Sequence, residues 1–325
     1  METRAGDPAA FARFDLYRVP SPAFVVDEAA VRRNLSVLRD IGDRAGIKVL
    51  GALKAFSMWS LGGVISEYLD GVCASGIYEA RLGREEYKGE VATYCAAYKP
   101  DDLAEILRIS DHAIFNSPGQ IARMKPVIDA ARKDGVNFDI GLRLNPLHAE
   151  GEVPKYDPSQ PHSRLGFPVD QLRAEHLEGV DGLHIHNLCE QDFLPLQRTW
   201  GAIESRVMPH VANLKWLNFG GGHHVTRADY QIDDLVAFLR DANELPHFKR
   251  KLRTYEKGSR YAENSWPKTE GTRLGNLAES TYLPPGWDPA HVQWPSTIKS
   301  LGIPTGSDEA VADLLFTKLR AALGD

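Results

Sequence analysis

Short runs of β-branched and aliphatic residues alternate along this chain with longer stretches in which apolar positions recur every three or four residues. That alternation is the signature of repeated strand–helix units. Candidate strands fall at 47–53, 71–74, 91–95, 112–115, 138–144, 182–186, 215–219 and 251–256, eight in all. Amphipathic stretches at 58–69, 76–86, 101–109, 117–133, 195–210 and 230–244 read as helices between them. For 117–133 the boundaries are explicit: Ser117 suits the N-cap, Pro118 the first turn and Gly135 the stop. Eight such units predict an α/β fold of the (β/α)8 barrel class, compact beside the ~250 residues usual for it. A doubly wound open sheet would give similar alternation. A further strand at 23–26 and a helix at 27–45 are expected ahead of the barrel.

Beyond residue 258 the alternation stops. Residues 259–306 hold six prolines and scattered glycines and tryptophans. Residues 308–323 then read as one amphipathic helix, with Ser307 as N-cap and Gly324 after its end. The expected organisation is therefore an N-terminal segment and first strand (1–26), a barrel (27–258) and a proline-rich tail ending in that helix (259–325).

Composition narrows the function classes. The 325 residues are 43% apolar and 25% charged, ordinary globular usage. A net charge of −6 with no basic stripe argues against nucleic acid. No apolar run approaches the ~20 residues of a membrane span, and the acidic, apolar-poor N-terminus is not a secretory signal. Cys73, Cys95 and Cys189 show neither CxxC nor zinc spacing. Free thiols in odd number fit a reducing compartment, the cytosol.

Barrel active sites lie at the C-terminal ends of the strands, and the least ordinary residues stand there. Lys54 follows the first strand in ALKAFS, flanked by apolar residues. A lysine in low dielectric loses its proton more readily, and a neutral amine can form an imine with an aldehyde; equally, a strand-end lysine can simply reach solvent. Gly220-Gly221-Gly222 follow the seventh strand, where barrels commonly bind phosphate through backbone N–H groups, although three glycines also make a tight turn. The sixth strand runs into His184, His186, Asn187, Cys189, Glu190 and Asp192. Alternation sets His184 and His186 on one face. HxH suggests a metal, but the partner ligands a metal needs are missing, and a flat imidazole stacked on a ring suits the context better. His184 can also be a packed core residue. Arg143, in GLRLNP, is an arginine in an apolar strand and so needs an anionic or polar partner, a neighbouring carboxylate included. Glu256 ends the eighth expected strand, where it can hold a pyridine nitrogen protonated or stand as a solvated loop residue.

Taken in order, SPAFVVDEAAVRRNL, ALKAFS, GVCASGIYEARLG, IFNSPGQI, GLRLNP, HSRLGFP, GLHIHNLCEQD and LNFGGGHH resemble the barrel shared by alanine racemase and the ornithine and diaminopimelate decarboxylases. The HNLCEQD form is similar to the carboxynorspermidine/carboxyspermidine decarboxylases in particular. The resemblance covers roughly residues 21–240. It implies pyridoxal 5'-phosphate as cofactor, decarboxylation in polyamine biosynthesis and a homodimer. It further implies Lys54 as the imine lysine, His186 stacked on the ring, Gly220, Gly221 and Gly222 at the phosphate, and Arg143 beside the ring. Glu256 would face the pyridine nitrogen, with Glu256-Lys257-Gly258 where the family has Glu-Pro-Gly. Glu190 and Asp192 would favour a cationic polyamine substrate, and no metal is implied. The family continues into a C-terminal β-rich domain that supplies a reprotonating cysteine. Here no cysteine follows Cys189, and 259–325 reads as too short and strand-poor for that domain. The alternative function is accordingly a barrel that binds the cofactor with little or no turnover.

Overall fold

The computed structural model describes residues 8–248, apart from 149, 152 and 212–213. The expected strand at 251–256, Glu256 with it, and the 259–325 tail with its helix lie outside the described residues.

The strands are β1 (Leu50–Ala52), β2 (Gly71–Ala74), β3 (Glu90–Tyr94), β4 (His112–Phe115), β5 (Asp139–Asn145), β6 (Phe167–Pro168), β7 (Gly182–Ile185) and β8 (Trp216–Asn218). They form one sheet in the order β1-β2-β3-β4-β5-β7-β8, with the two-residue β6 paired beside the end of β5. Every pairing is parallel. The helices are α1 (Glu28–Ala45), α2 (Gly62–Ile65), α3 (Ile77–Glu86), α4 (Pro100–Ile109), α5 (Pro118–Lys133), α6 (Leu194–Val211) and α7 (Ile232–Phe248). Strand followed by helix, repeated in one direction around a curled parallel sheet, is the barrel architecture expected from the alternation.

Local signals succeed where a local bond defines the boundary. Asp27 accepts the Ala30 N–H at the start of α1, and Ser117 accepts the Gln120 N–H at the start of α5. Two expectations need correction. Residues 23–26 form no strand: among the described residues no neighbouring strand pairs with them, and Phe24 is 97% exposed. The amphipathic stretch 58–69 is broken into a 3-10 turn (Trp59–Leu61) and a single α-turn, α2. Gly62 packs there so closely on the Glu86 carbonyl that a Cβ would lie 2.2 Å from it.

A repeated device builds the N-terminal face of the sheet. Asp70, Asp111 and Asp181 each precede a strand, and each accepts the N–H of the neighbouring strand's opening: Val49 (2.9 Å), Val91 (2.8 Å) and Ile140 (2.8 Å). Orphan strand donors are satisfied this way, and carboxylate acceptors make the stronger kind of hydrogen bond. Trp216 completes this face. Its indole donates to Asp139 Oδ2 (3.1 Å) and lies flat across two strands, so that a Cβ on Gly182 would fall 2.0 Å from the ring and one on Gly141 2.6 Å. Gly182→Ala should therefore overpack the barrel base and cost about 1–3 kcal/mol. Urea unfolding at matched pH measures it; an unchanged midpoint would show that Trp216 can move aside freely.

Candidate active site

The opposite, C-terminal ends of the strands collect the residues with unusual chemistry. Leu53 donates its N–H to the Cys73 carbonyl (3.0 Å), extending the β1–β2 pairing by a residue, and Ala55 and Phe56 then turn back onto the Ala52 carbonyl (3.0 and 3.1 Å). Lys54 sits at the head of that turn. It is exposed, as are Ala55, Phe56 and Ser57, so the apolar burial read from its flanks is not formed among the described residues. Its charge nevertheless reaches the barrel interior. It acts on Cys73, whose thiol burial pushes up to about 11, on His184 of β7 and on His186 just beyond it.

His184 and His186 do share a face, as alternation requires: their rings stack at 6.2 Å between centroids and 17°. Burial first, then the positive charges of Arg143 and Lys54 and the other histidines, drive both imidazoles down to about 3. Both are neutral at physiological pH. Among the described residues no group of three or more His, Cys, Asp or Glu side chains is placed to hold a metal. Arg143 is 4% exposed on the neighbouring strand β5. Of the anionic or polar partners the sequence allowed, no carboxylate lies within ion-pair distance among the described residues. The guanidinium lies over the Tyr94 ring, 4.7 Å from the centroid, and Nη2 donates a long bond (3.4 Å) to the His186 carbonyl.

After β8 the three glycines fold back against the end of β7. Gly220 (φ 72°) and Gly222 (φ 97°) take left-handed backbone, and a Cβ at either would strike β7-side backbone: 2.5 Å from the Ile185 carbonyl and 2.4 Å from the Leu188 carbonyl. Gly221 between them is exposed, with nothing within 4 Å of an added Cβ. Its N–H donates to His186 Nδ1 (3.3 Å), which leaves the proton of the neutral ring on Nε2. Gln191 anchors the turn from the other side. Its N–H donates to the Gly222 carbonyl (3.0 Å), its carbonyl accepts from His224 (2.9 Å), and its amide donates to the Glu150 carbonyl (3.1 Å).

Glu190 is exposed and holds a left-handed φ of 53°, an uncommon conformation for a residue with a side chain. Asp192 is half-buried, receives the Leu194 N–H (2.9 Å) and is pushed above the usual carboxylate range by burial. Asn187 is buried away from the mouth, donating to Thr199 Oγ1 (2.9 Å), which also contacts His148 Nδ1 (2.9 Å).

No family model matches the chain. Curated relatives do. The carboxynorspermidine/carboxyspermidine decarboxylase of Campylobacter jejuni is 31% identical over 227 residues, covering 70% of this chain and 58% of the relative. The carboxyaminopropylagmatine decarboxylase of Synechocystis is 35% identical over 235 residues, covering 72% and 59%. The crystal structure of carboxynorspermidine decarboxylase from Campylobacter jejuni, complexed with norspermidine, superposes with a TM-score of 0.61 over 70% of this chain and 57% of that one. Over its barrel this chain is a carboxynorspermidine/carboxyspermidine decarboxylase relative. Its fold is the alanine racemase-type barrel, and it spans less than three fifths of the length of these curated relatives.

These decarboxylases belong to a pyridoxal-phosphate-dependent family, and the mouth of this barrel suits that group. Arg143 Nε and His184 Nδ1 are buried without a hydrogen-bond partner, so polar atoms are left to meet something. Gly221 leaves open space beside backbone N–H groups, the arrangement that admits a phosphate. Tyr94, which faces Arg143, and Gln191, which anchors the glycine turn, were missed from the sequence. Tyr94 had a usable signal, since it closes β3 at the catalytic end. Gln191 had none, because its role is set by backbone pairing with a loop after another strand.

The neutral histidines predict acid sensitivity. His184, His186 and His223 are held at about 3, 3 and 4, all below the unfolded value of about 6.5. A depressed folded value means stability is fully present above the unfolded pKa and is lost as pH falls through the window from about 6.5 to the folded values. The melting temperature should therefore drop steadily between pH 6.5 and 4, each imidazole adding roughly tenfold per pH unit to the unfolding equilibrium. His223→Gln should flatten that slope. An equal slope in the variant would mean that His223 titrates freely.

Proposed function

We propose that this chain is a pyridoxal-phosphate-dependent carboxy-lyase that decarboxylates carboxynorspermidine or carboxyspermidine to norspermidine or spermidine. The observation that carries the reading is a strand-end lysine whose charge reaches two neutral stacked imidazoles beside an open glycine turn, in a chain 31% identical to a carboxynorspermidine/carboxyspermidine decarboxylase and 35% identical to a carboxyaminopropylagmatine decarboxylase. Relatives named for decarboxylation favour it over a barrel that only binds the cofactor.

When bound, the cofactor supplies a ring that takes up the negative charge left on the α-carbon as carbon dioxide departs. The protein's residues bind and orient. Lys54 is the amine that would hold the cofactor's aldehyde. The turn Gly220-Gly221-Gly222 would lie at the phosphate, with the Gly220 N–H, which here donates to Asn218 Oδ1 (2.7 Å), and the Gly222 N–H as its donors while the Gly221 N–H stays on His186. Neutral His186, its Nδ1 occupied by the Gly221 N–H, would present a flat uncharged face to the ring. Arg143 would meet the ring's anionic edge, and Glu256, outside the described residues, its nitrogen.

The substrate names of both curated relatives describe a carboxylated aminopropyl group on a cationic chain. Glu190 and Asp192, on the loop after β7, would receive that chain's charge. Burial working against ionisation of Asp192 makes Glu190 the stronger partner of the two. On the same reading the protein acts in the cytosol as a homodimer, consistent with three free cysteines.

Carbon dioxide release by the full chain with added pyridoxal phosphate tests this. Carboxynorspermidine, carboxyspermidine and carboxyaminopropylagmatine should be compared with ornithine and diaminopimelate. Release from the first group and not the second is expected. A protein that holds the cofactor and releases nothing from any of the five would remove the assignment.

A further inference from the structure

A buried guanidinium ordinarily sits against a carboxylate, because burying an unpaired charge is costly. Arg143 is buried and has no carboxylate partner among the described residues. Its company is the face of Tyr94, 4.7 Å from the ring centroid, and the His186 carbonyl at a long 3.4 Å. Burial works against the Arg143 charge, and Tyr94 works to keep it. The distinction matters chemically. A carboxylate would neutralise the guanidinium and compete with any anionic ligand, whereas an aromatic face fixes its direction and leaves the charge unspent.

The tyrosine is itself fixed. Its hydroxyl donates to Asn116 Oδ1 (2.8 Å), just beyond β4. The same oxygen accepts the Gly166 N–H (2.7 Å), Asn116 Nδ2 donates to the Arg164 carbonyl (2.9 Å), and the Asn116 N–H donates to Gln120 Oε1 (2.8 Å). Gly166 in turn lies against the strand that carries Arg143: a Cβ there would fall 2.7 Å from Asn145 N and from the Leu144 carbonyl carbon. The circuit thus runs from β5 through Arg143 to Tyr94 on β3, to Asn116 beyond β4, and back to β5 through 164–166. It gives HSRLGFP, a motif with no catalytic side chain assigned above, a task.

We propose that Tyr94 is a positioning residue that aims the Arg143 guanidinium into the barrel mouth, and that Asn116 holds Tyr94 in that pose. The proposal rests on the reading of this mouth as a pyridoxal-phosphate site.

Pyridoxal phosphate affinity, read by absorbance titration of the full chain, is measured for wild type, Arg143→Ala, Tyr94→Leu, Tyr94→Phe and the Tyr94→Leu/Arg143→Ala double variant. Melting temperatures confirm that each is folded. Tyr94→Leu should weaken binding roughly 10-fold, the scale of a desolvated cation–π contact. Tyr94→Phe keeps the ring but loses the hydroxyl that Asn116 holds, so it should weaken binding by about 3-fold, less than Tyr94→Leu. In the Arg143→Ala background the effect of Tyr94→Leu should vanish. A second readout needs no cofactor. The NMR resonance of the Arg143 Nε–H, identified by its loss in Arg143→Lys, should carry a ring-current shift in wild type and Tyr94→Phe that disappears in Tyr94→Leu. Equal weakening by Tyr94→Leu in both backgrounds, or an Arg143 resonance that does not move, overturns the proposal. Wild type that binds no pyridoxal phosphate while the resonance does move overturns the cofactor reading instead.

Discussion

Lys54→Ala should leave the protein folded and colourless. Wild type purified with pyridoxal phosphate is expected to be yellow through a link at this amine, and borohydride should lock the label onto the ALKAFS peptide. The exposure of Lys54 sharpens the test. Removing an exposed side chain outside any cap or network changes stability by no more than about 0.5 kcal/mol, so loss of colour cannot be put down to unfolding. Carbon dioxide release from carboxynorspermidine should fall by several orders of magnitude, as expected when the group that makes the covalent link is gone. Lys54→Arg separates charge from covalency. It keeps a positive charge acting on His184 and His186 but has no amine to offer, and it should be as colourless as Lys54→Ala. A borohydride label on a different lysine would displace the whole assignment.

Gly221→Asp should weaken cofactor binding on the order of 100-fold while Gly221→Ala changes it little. Space at this position is open, so neither side chain disturbs the fold. What differs is charge. Two unit charges about 4 Å apart interact by about 4 kcal/mol at the effective dielectric of a protein surface, and exposure of Gly221 reduces that figure. Gly222→Ala should behave in the opposite way. It adds no charge, yet its Cβ would meet the Leu188 carbonyl at 2.4 Å in a left-handed backbone, so it should lower stability along with affinity. Titration calorimetry paired with thermal melts distinguishes the two. Equal affinity in Gly221→Asp and wild type would move the phosphate elsewhere.

The contrast between helix α5 and the segment 23–26 shows what kind of information the chain carries locally. Ser117, Pro118 and the Gln120 N–H lie within one turn, so the cap is written in adjacent residues and its hydrogen bond forms as expected. The apolar run Ala23–Val26 has the composition of a strand, but a strand exists only through its partner, and none lies beside it among the described residues. Seven of the expected strands and their parallel direction were legible, because hydrophobic period and βα alternation determine them without reference to distant residues, whereas the two-residue β6 was not and 251–256 lies outside the described residues. The ordered motifs from ALKAFS to LNFGGGHH likewise identified the family, and with it Lys54, His186 and the glycine turn as the residues to watch.

What the tertiary structure alone decided is the company those residues keep. Arg143 called for an anionic or polar partner on sequence grounds and lies over an aromatic face with a long bond to the His186 carbonyl, because inward side chains of alternate barrel strands meet in one layer, here Tyr94 of β3 and Arg143 of β5. The apolar flanks of Lys54 left burial and solvent exposure both open, and the turn on the Ala52 carbonyl decides for exposure by carrying those neighbours outward with it. Gly220 and Gly222 were read as making room for an anion. They also make room for β7 itself, since their missing Cβ atoms let the turn rest on the Ile185 and Leu188 carbonyls and bring the Gly221 N–H to His186. A residue's type sets what it can do; the dielectric, the charges and the hydrogen-bond partners that select among those possibilities come from residues far along the chain, which only the curling of the sheet brings within reach.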